Sequence, residues 1–178
     1  LVLIGLDAAG KTTTLNRLLM PYIPNEPTTP TTGFAPEKLV RGPVCMSIWD
    51  MGGQETLRRS WPFFAANTDA IMYVIDASDR PRWERSLLEL SRTMDARMPS
   101  CEATVVVPGI PLLVMLNKAD RCDEATLQEL EALVAESVGT LSERFRCMRT
   151  AATDGVGVED GIRWLISELN PDGHEPDV

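Results

Sequence analysis

The octapeptide Gly5-Leu6-Asp7-Ala8-Ala9-Gly10-Lys11-Thr12 constrains this chain more than any other stretch. It follows the apolar run Leu1-Val2-Leu3-Ile4, which suits a buried parallel strand, and it opens a run from Lys11 to Leu19 that reads as a helix stopped before Pro21. Gly5 and Gly10 permit a tight wrap, so the loop's backbone N–H groups and the positive end of the helix face one point. The spacing G-x-x-x-x-G-K-T between a strand and a helix is the form of a phosphate-cradling loop. Lys11 would bring its ammonium to the β- and γ-phosphates of a nucleotide, and the Thr12 hydroxyl would ligate a bridging Mg²⁺. Asp7, Ala8, Ala9, Gly10, Lys11, Thr12 and Thr13 are therefore the candidate phosphate-binding set. A chance glycine turn with a surface lysine is the plain alternative, and the strand–loop–helix setting disfavours it.

Composition narrows the partners. At 178 residues with 44% hydrophobic content, the chain can bury one core and is too short for two ordinary domains. Residues 1–170 are expected to form that domain, with a disordered acidic tail over 171–178. A net charge of −9 with no long basic run argues against a nucleic-acid partner. Cys45, Cys101, Cys122 and Cys147 are scattered, with only His174 to assist, so neither a zinc site nor a redox pair is indicated. Reduced thiols in a cytoplasmic protein are the expectation. No apolar run approaches the ~20 residues that span a bilayer. Because Leu1 is not Met and already lies in a strand run, a preceding natural segment is expected.

From Pro21 to Thr32 four prolines among threonines exclude helix and central strand. A loop this long is functional or disordered, and Thr31 is a candidate second hydroxyl ligand of Mg²⁺. Leu39-Val40 and the alternating run Val44 to Trp49 flank Arg41-Gly42-Pro43, the pattern of an antiparallel hairpin. The hairpin delivers Asp50-Met51-Gly52-Gly53-Gln54. Asp50 at a strand's end is placed to hold Mg²⁺ through water, Gly53 leaves its N–H free for a γ-phosphate, and Gln54 would sit beside an attacking water.

Ala70 to Ile75 and Leu112 to Leu116 are further buried strands. The second runs into Asn117-Lys118-Ala119-Asp120. Guanine presents two donors on one edge, and a fixed carboxylate such as Asp120 accepts both, whereas adenine has no such pair. Asn117 would tie this loop to the phosphate loop, and the Lys118 stem would cover a ring face. Trp83, Leu87, Leu90 and Met94 form one helical stripe, Leu127, Leu130, Val134 and Val138 another, and Val158 to Leu169 a third. After a short strand from Phe145 to Arg149, Ala151 and Ala152 could offer backbone N–H groups to the guanine carbonyl. Val105-Val106-Val107, between breaks at Met98 and Pro111, suits a loop staple or a docking point.

The phosphate loop, Pro30-Thr31-Thr32-Gly33-Phe34, Trp49-Asp50-Met51-Gly52-Gly53-Gln54 and Asn117-Lys118-Ala119-Asp120 together resemble the Arf and Arf-like small GTPases, over Leu1 to about Leu169. The resemblance implies an α/β P-loop NTPase fold, a six-stranded mostly parallel sheet with one antiparallel edge strand and helices on both faces. It implies GTP and GDP as ligands with Mg²⁺, and two switch loops, around Thr31 and Gln54, that the γ-phosphate holds. Partners implied are an exchange factor, a GTPase-activating protein and effectors at the switches, in vesicle or ciliary trafficking. Phe34, Trp49 and Phe64 resemble the family's effector-facing aromatic trio, with core packing as the alternative. The family's membrane-seeking helix would precede Leu1 and make any membrane association reversible. Extra prolines in the first switch, a longer 98–109 stretch and Ala151 depart from the pattern.

Neither Arg58 nor Arg59 has the position of an arginine finger, so slow hydrolysis accelerated by a supplied arginine is expected. The rival is a GTP-binding adaptor that hardly hydrolyses. An ATP-dependent P-loop kinase is a more distant reading, disfavoured by Asp120.

Overall fold

The two longest uninterrupted apolar runs become neighbouring strands whose side chains are buried on both faces. They are β4 (Ile71–Asp76) and β5 (Leu112–Asn117), paired in parallel from Ile71↔Leu112 to Asp76↔Asn117. The structure, a computed structural model, describes residues 1–23, 31, 36–94, 109–139 and 142–171. Around that pair stand β1 (Val2–Ile4), β2 (Pro36–Arg41), β3 (Val44–Asp50) and β6 (Phe145–Arg149). The order across the sheet is β2-β3-β1-β4-β5-β6, and only edge strand β2 runs antiparallel, to β3. The expected six-stranded, mostly parallel sheet is present.

Alternation divides each central strand between two cores. Ile71, Tyr73 and Ile75 of β4, with Leu112, Val114 and Leu116 of β5, face one side. There they meet Trp61 of α3 (Trp61–Ala65), Trp83, Leu87 and Leu90 of α4 (Trp83–Met94), and Leu127, Leu130 and Val134 of α5 (Glu124–Val138). Met72, Val74, Leu113 and Met115 face the other side, against Leu15 and Leu18 of α1 (Lys11–Leu19) and Ile162 and Leu165 of α6 (Val158–Leu169). The four-residue helix α2 (Glu55–Arg58) has no buried side chain and joins β3 to α3.

The helical stripes read from spacing all face the sheet. The hairpin is longer than Leu39-Val40 suggested, since β2 extends from Pro36 to Arg41. Asp123 caps α5 by accepting from the Thr126 N–H at 2.8 Å. The expectations for Phe34, Cys101, the 105–107 patch, His174 and the 172–178 tail lie outside the described residues.

Two leucines of α4 test this division. Leu90 is fully buried and Leu88 is 44% exposed. Leu90→Ala is expected to lower the unfolding free energy by ~2–5 kcal/mol in urea denaturation, and Leu88→Ala by less than ~0.5 kcal/mol.

Candidate functional site

Parallel pairing brings the C-terminal ends of four strands to one edge. The phosphate loop leaves β1 there, Asp50 ends β3, Asp76 ends β4 and Asn117 ends β5, with Asp76 and Asn117 side by side in register. Loops at such an edge form the ligand crevice of doubly wound folds. A cleft of about 490 Å³ lies here, lined by Asp7, Ala8, Gly10, Lys11, Thr12, Thr13, Thr31, Gly53, Gln54, Lys118, Arg121 and Thr153.

Gly10 shows why the loop needs glycine. It opens α1 with φ +97°, and a Cβ there would meet the Asn117 Nδ2 at 2.2 Å. Asn117 Nδ2 donates to the Ala9 carbonyl at 2.8 Å, while its Oδ1 accepts from the Ala152 N–H at 3.0 Å. The buried amide therefore ties the phosphate loop to the loop after β6. Lys118 adds a second tie, donating to the Ala8 carbonyl at 2.9 Å and to Asp76 Oδ2 at 2.5 Å. Ala8 and Lys118 are the only non-glycine residues with positive φ among the described residues, at 59° and 61°. Left-handed backbone at both ends of one tie is strain held by its surroundings.

Lys11 is 6% exposed and donates to the carbonyls of Gly5 and Leu6, each at 2.9 Å. Burial lowers its pKa to about 8, against the opposing pull of Asp50 and Asp7. The Thr12 hydroxyl donates to Asp50 Oδ2 at 2.7 Å and lies 3.1 Å from the Thr31 hydroxyl. Burial raises the Asp50 pKa, partly offset by the Thr12 hydrogen bond and the Lys11 charge. Its Oδ1 is buried with no hydrogen-bond partner. An unpaired buried carboxylate oxygen is costly unless something else satisfies it.

This arrangement fits Mg²⁺. Adjacent oxygens of an octahedral shell with ~2.1 Å bonds stand ~3 Å apart, close to the separation of the two threonine hydroxyls. Asp50 lies behind them, where its free oxygen can accept from a metal-bound water. Thr31 thus joins Thr12 and Asp50 in space although 19 residues separate the two threonines.

Gly53 seats the second switch against the phosphate loop. A Cβ on it would come within 2.3 Å of the Asp7 nitrogen and 2.4 Å of the Leu6 carbonyl carbon. Gln54 follows as the N-cap residue of α2 and is exposed. Arg58 folds back over this junction, its Nε donating to the Gly53 carbonyl at 2.8 Å and its Nη2 to Asp7 Oδ1 at 3.1 Å. Arg82 holds the other carboxylate oxygen of Asp7 at 3.1 Å. Asp7 bridges the second switch to the turn that precedes α4.

On the base side, Asp120 is exposed in a 3₁₀ turn over Ala119–Arg121, 3.9 Å from Arg121 Nε. Ala151 and Ala152, the expected partners of the guanine carbonyl, stand in the loop after β6. Their N–H groups are bonded within the protein, to the Val156 carbonyl and to Asn117 Oδ1, both at 3.0 Å. Both side chains are buried, and Thr153 is the loop residue on the cleft wall. Arg17 steadies that loop from α1, donating to the Ala152 carbonyl at 3.2 Å and to the Thr153 carbonyl. Ala9, Asp50 and Asn117 support the cleft from behind.

Sequence reasoning missed Arg17, Arg58, Arg82, Arg121 and Thr153. Only Arg58 had a local cue, lying one helical turn after Gln54.

The model of the ADP-ribosylation factor family matches residues 1–169. The chain belongs to that family. Among solved structures it is similar to the Arl6 BBS3 small GTPase from Trypanosoma brucei with bound nucleotide analogue GppNp, at 26% identity and TM-score 0.73, covering 97% of each chain. As an ADP-ribosylation factor family chain it brings the phosphate loop, Thr31, Gly53, Gln54 and Lys118 to one cleft, with Asp7 engaged by two arginines.

Two outcomes follow from the charges. Phosphate oxygens beside Lys11 would raise its pKa, so nucleotide binding takes up a proton once pH passes about 8. Nucleotide affinity is therefore expected to weaken roughly fourfold from pH 7 to pH 8.5 by titration calorimetry, and Lys11→Met should remove that slope. Without ligand the lowered pKa has the opposite consequence for folding, since the unfolded chain binds more protons between about 8 and the ordinary lysine value. Stability from this group then rises with pH across that window.

Asp7→Asn weakens the bridge to Arg58 and Arg82. Allowing ~1 kcal/mol for a half-exposed pair, trypsin is expected to cut after Arg58 and Arg59 about fivefold faster, by limited proteolysis.

Proposed function

We propose that this chain is a GTP-binding molecular switch that takes GDP or GTP with Mg²⁺ and hydrolyses GTP slowly without an activating protein. The observation that carries this reading is the meeting of Thr12, Thr31 and Asp50 beside Lys11, in a chain of the ADP-ribosylation factor family. GppNp in the Arl6 structure supports a guanine nucleotide as the ligand.

Each role follows from a group's environment. The phosphate loop's N–H groups and Lys11 neutralise phosphate charge where water is excluded. The Thr12 and Thr31 hydroxyls, with Asp50 behind them, would hold Mg²⁺, which when bound would neutralise phosphate charge. Gln54 has an exposed side chain that makes no hydrogen bond among the described residues, which leaves its amide able to orient a water. The Asp120 carboxylate accepts from the two donors of guanine. Arg58 is already bonded to Gly53 and Asp7, so an activating arginine comes from a partner.

Effectors would read the switches through aromatic surface. Trp49 and Phe64 meet tilted at 46° with ring centres 5.8 Å apart, Phe63 meets Phe64 edge-on at 5.5 Å, and Phe63 is 55% exposed. Exchange factors, activating proteins and effectors are the family's partner classes, and a role in membrane or vesicle traffic, including ciliary traffic, extends that likeness. No helix among the described residues is long and apolar enough to cross a membrane. Such a switch would work from the cytoplasm and associate reversibly with membranes.

Binding of GDP, GTP and ATP with Mg²⁺, followed by single-turnover fate of bound GTP, tests the proposal. Guanine preference with hydrolysis on the order of 10⁻⁴–10⁻² s⁻¹ is expected. Gln54→Leu should retain GTP binding and lose hydrolysis stimulated by an activating protein. Guanine binding without any hydrolysis would instead support an adaptor, and no guanine preference would refute the reading.

A further inference from the structure

A second cavity, of about 340 Å³, lies outside the nucleotide cleft, between the α2–α3 segment and α4. Its volume is in the range of ligand pockets, yet its lining is unlike theirs, which is mostly apolar. Four arginines converge on it, Arg58 and Arg59 from one wall and Arg85 and Arg92 from the other, with only Glu55 and Glu89 to oppose them. The lining is thus net +2 (four arginines less two glutamates) in a chain of net −9. A concave patch of sign opposite to the rest of the surface focuses the field and selects ligands by charge.

The internal pairing leaves that charge unsatisfied. Glu89, with 10% of its side chain exposed, is shared by Arg85 at 2.9 Å and Arg92 at 3.4 Å. Arg85 also reaches across the groove to Glu55 at 3.3 Å, and the Glu55 side chain is 79% exposed. A long bridge so open to water is easily exchanged for another carboxylate. Arg59 is exposed and its side chain has no hydrogen-bond or ion-pair partner among the described residues. Arg92 keeps 60% of its side chain in solvent. Two under-paired guanidinium forks therefore face each other across a groove, each able to grip a carboxylate with two parallel hydrogen bonds.

We propose that this groove binds an acidic polypeptide segment of a partner protein, whose spaced carboxylates pair with Arg59 and Arg92 and displace Glu55 from Arg85. Spaced carboxylates fit better than a dense phosphate array. Glu55 and Glu89 sit within the groove and would repel a continuous polyanion, whereas carboxylates spaced along a peptide can reach the arginines and pass the glutamates by.

The test uses the full chain with a fluorescein-labelled (Glu-Ser-Gly)4 peptide, whose carboxylates are spaced, read by fluorescence anisotropy at low salt. Arg59→Glu/Arg92→Glu is the variant, since neither residue serves the nucleotide cleft. Saturable binding that the double variant weakens at least tenfold, with unchanged guanine-nucleotide affinity and unfolding temperature, is the expected result. Added salt should weaken it as well. No binding to the wild-type chain, or equal binding by the double variant, would overturn the proposal. So would labelled oligothymidylate or phosphatidylserine vesicles binding more tightly than the peptide in a manner the double variant abolishes, because the occupant would then be nucleic acid or membrane. A dimer that the double variant dissociates would assign the groove to a second copy of the chain instead.

Discussion

The buried amide of Asn117 is the contact on which the rest of the cleft depends. It joins three segments through one side chain: the phosphate loop through the Ala9 carbonyl, the loop after β6 through the Ala152 N–H, and β5 on which it stands. Only an amide can do this, because one side donates while the other accepts in a fixed geometry. An aspartate would lack the donor and a leucine would lack both. Gly10 completes the contact by having no side chain where the Nδ2 passes. The positive φ values of Ala8 and Lys118 are tolerated on the same terms, since the Lys118–Ala8 hydrogen bond and the Asp76 ion pair hold both residues in place.

With the loops fixed, opposing charges can be held close without collapsing. Lys11 and Asp50 act on one another in a buried setting, where burial lowers the lysine pKa and raises that of the carboxyl. Each group is thereby less comfortable in its charged form than it would be in water. A ligand carrying phosphate and a divalent cation reverses both penalties together, phosphate against the lysine and metal against the carboxylate. The orphaned Asp50 Oδ1 marks the same requirement from the hydrogen-bonding side. Ligand affinity here is stored in the protein as polar groups lacking their best partners.

How much of this was legible depended on whether the cue was local. The ends of α1, the buried β5 run and Asn117 were readable because proline, apolar continuity and strand-end motifs act over a few residues. Thr31 could be proposed from its neighbourhood, but its meeting with Thr12 rests on the path of a loop and required coordinates. The N–H groups of Ala151 and Ala152 looked available because nothing in a small-residue loop shows that Val156 and Asn117 already accept them. The largest omission was the arginine set. Arg58 and Arg82 lie 51 and 75 residues from the Asp7 they hold, and Arg17 lies 135 from Ala152, separations at which no periodicity carries information.

Arginine placement also decides how much chemistry the chain can do alone. Arg58 is the guanidinium nearest the Gly53–Gln54 junction, and its side chain is only 11% exposed because Gly53 and Asp7 hold it. Swinging it toward a phosphate would break two hydrogen bonds and release the second switch from the phosphate loop, the contact that places Gln54. The residue that best positions the switch is for that reason the one least free to stabilise a transition state. Arg82 is held in the same way by Asp7 and Asp79. Arg59 is free, but it belongs to the groove on the far side of α2 rather than to the cleft. Around the Gly53–Gln54 junction the described arginines are thus held by their own partners or turned to the other groove, and under the proposed function a partner protein would supply the mobile positive charge this junction lacks.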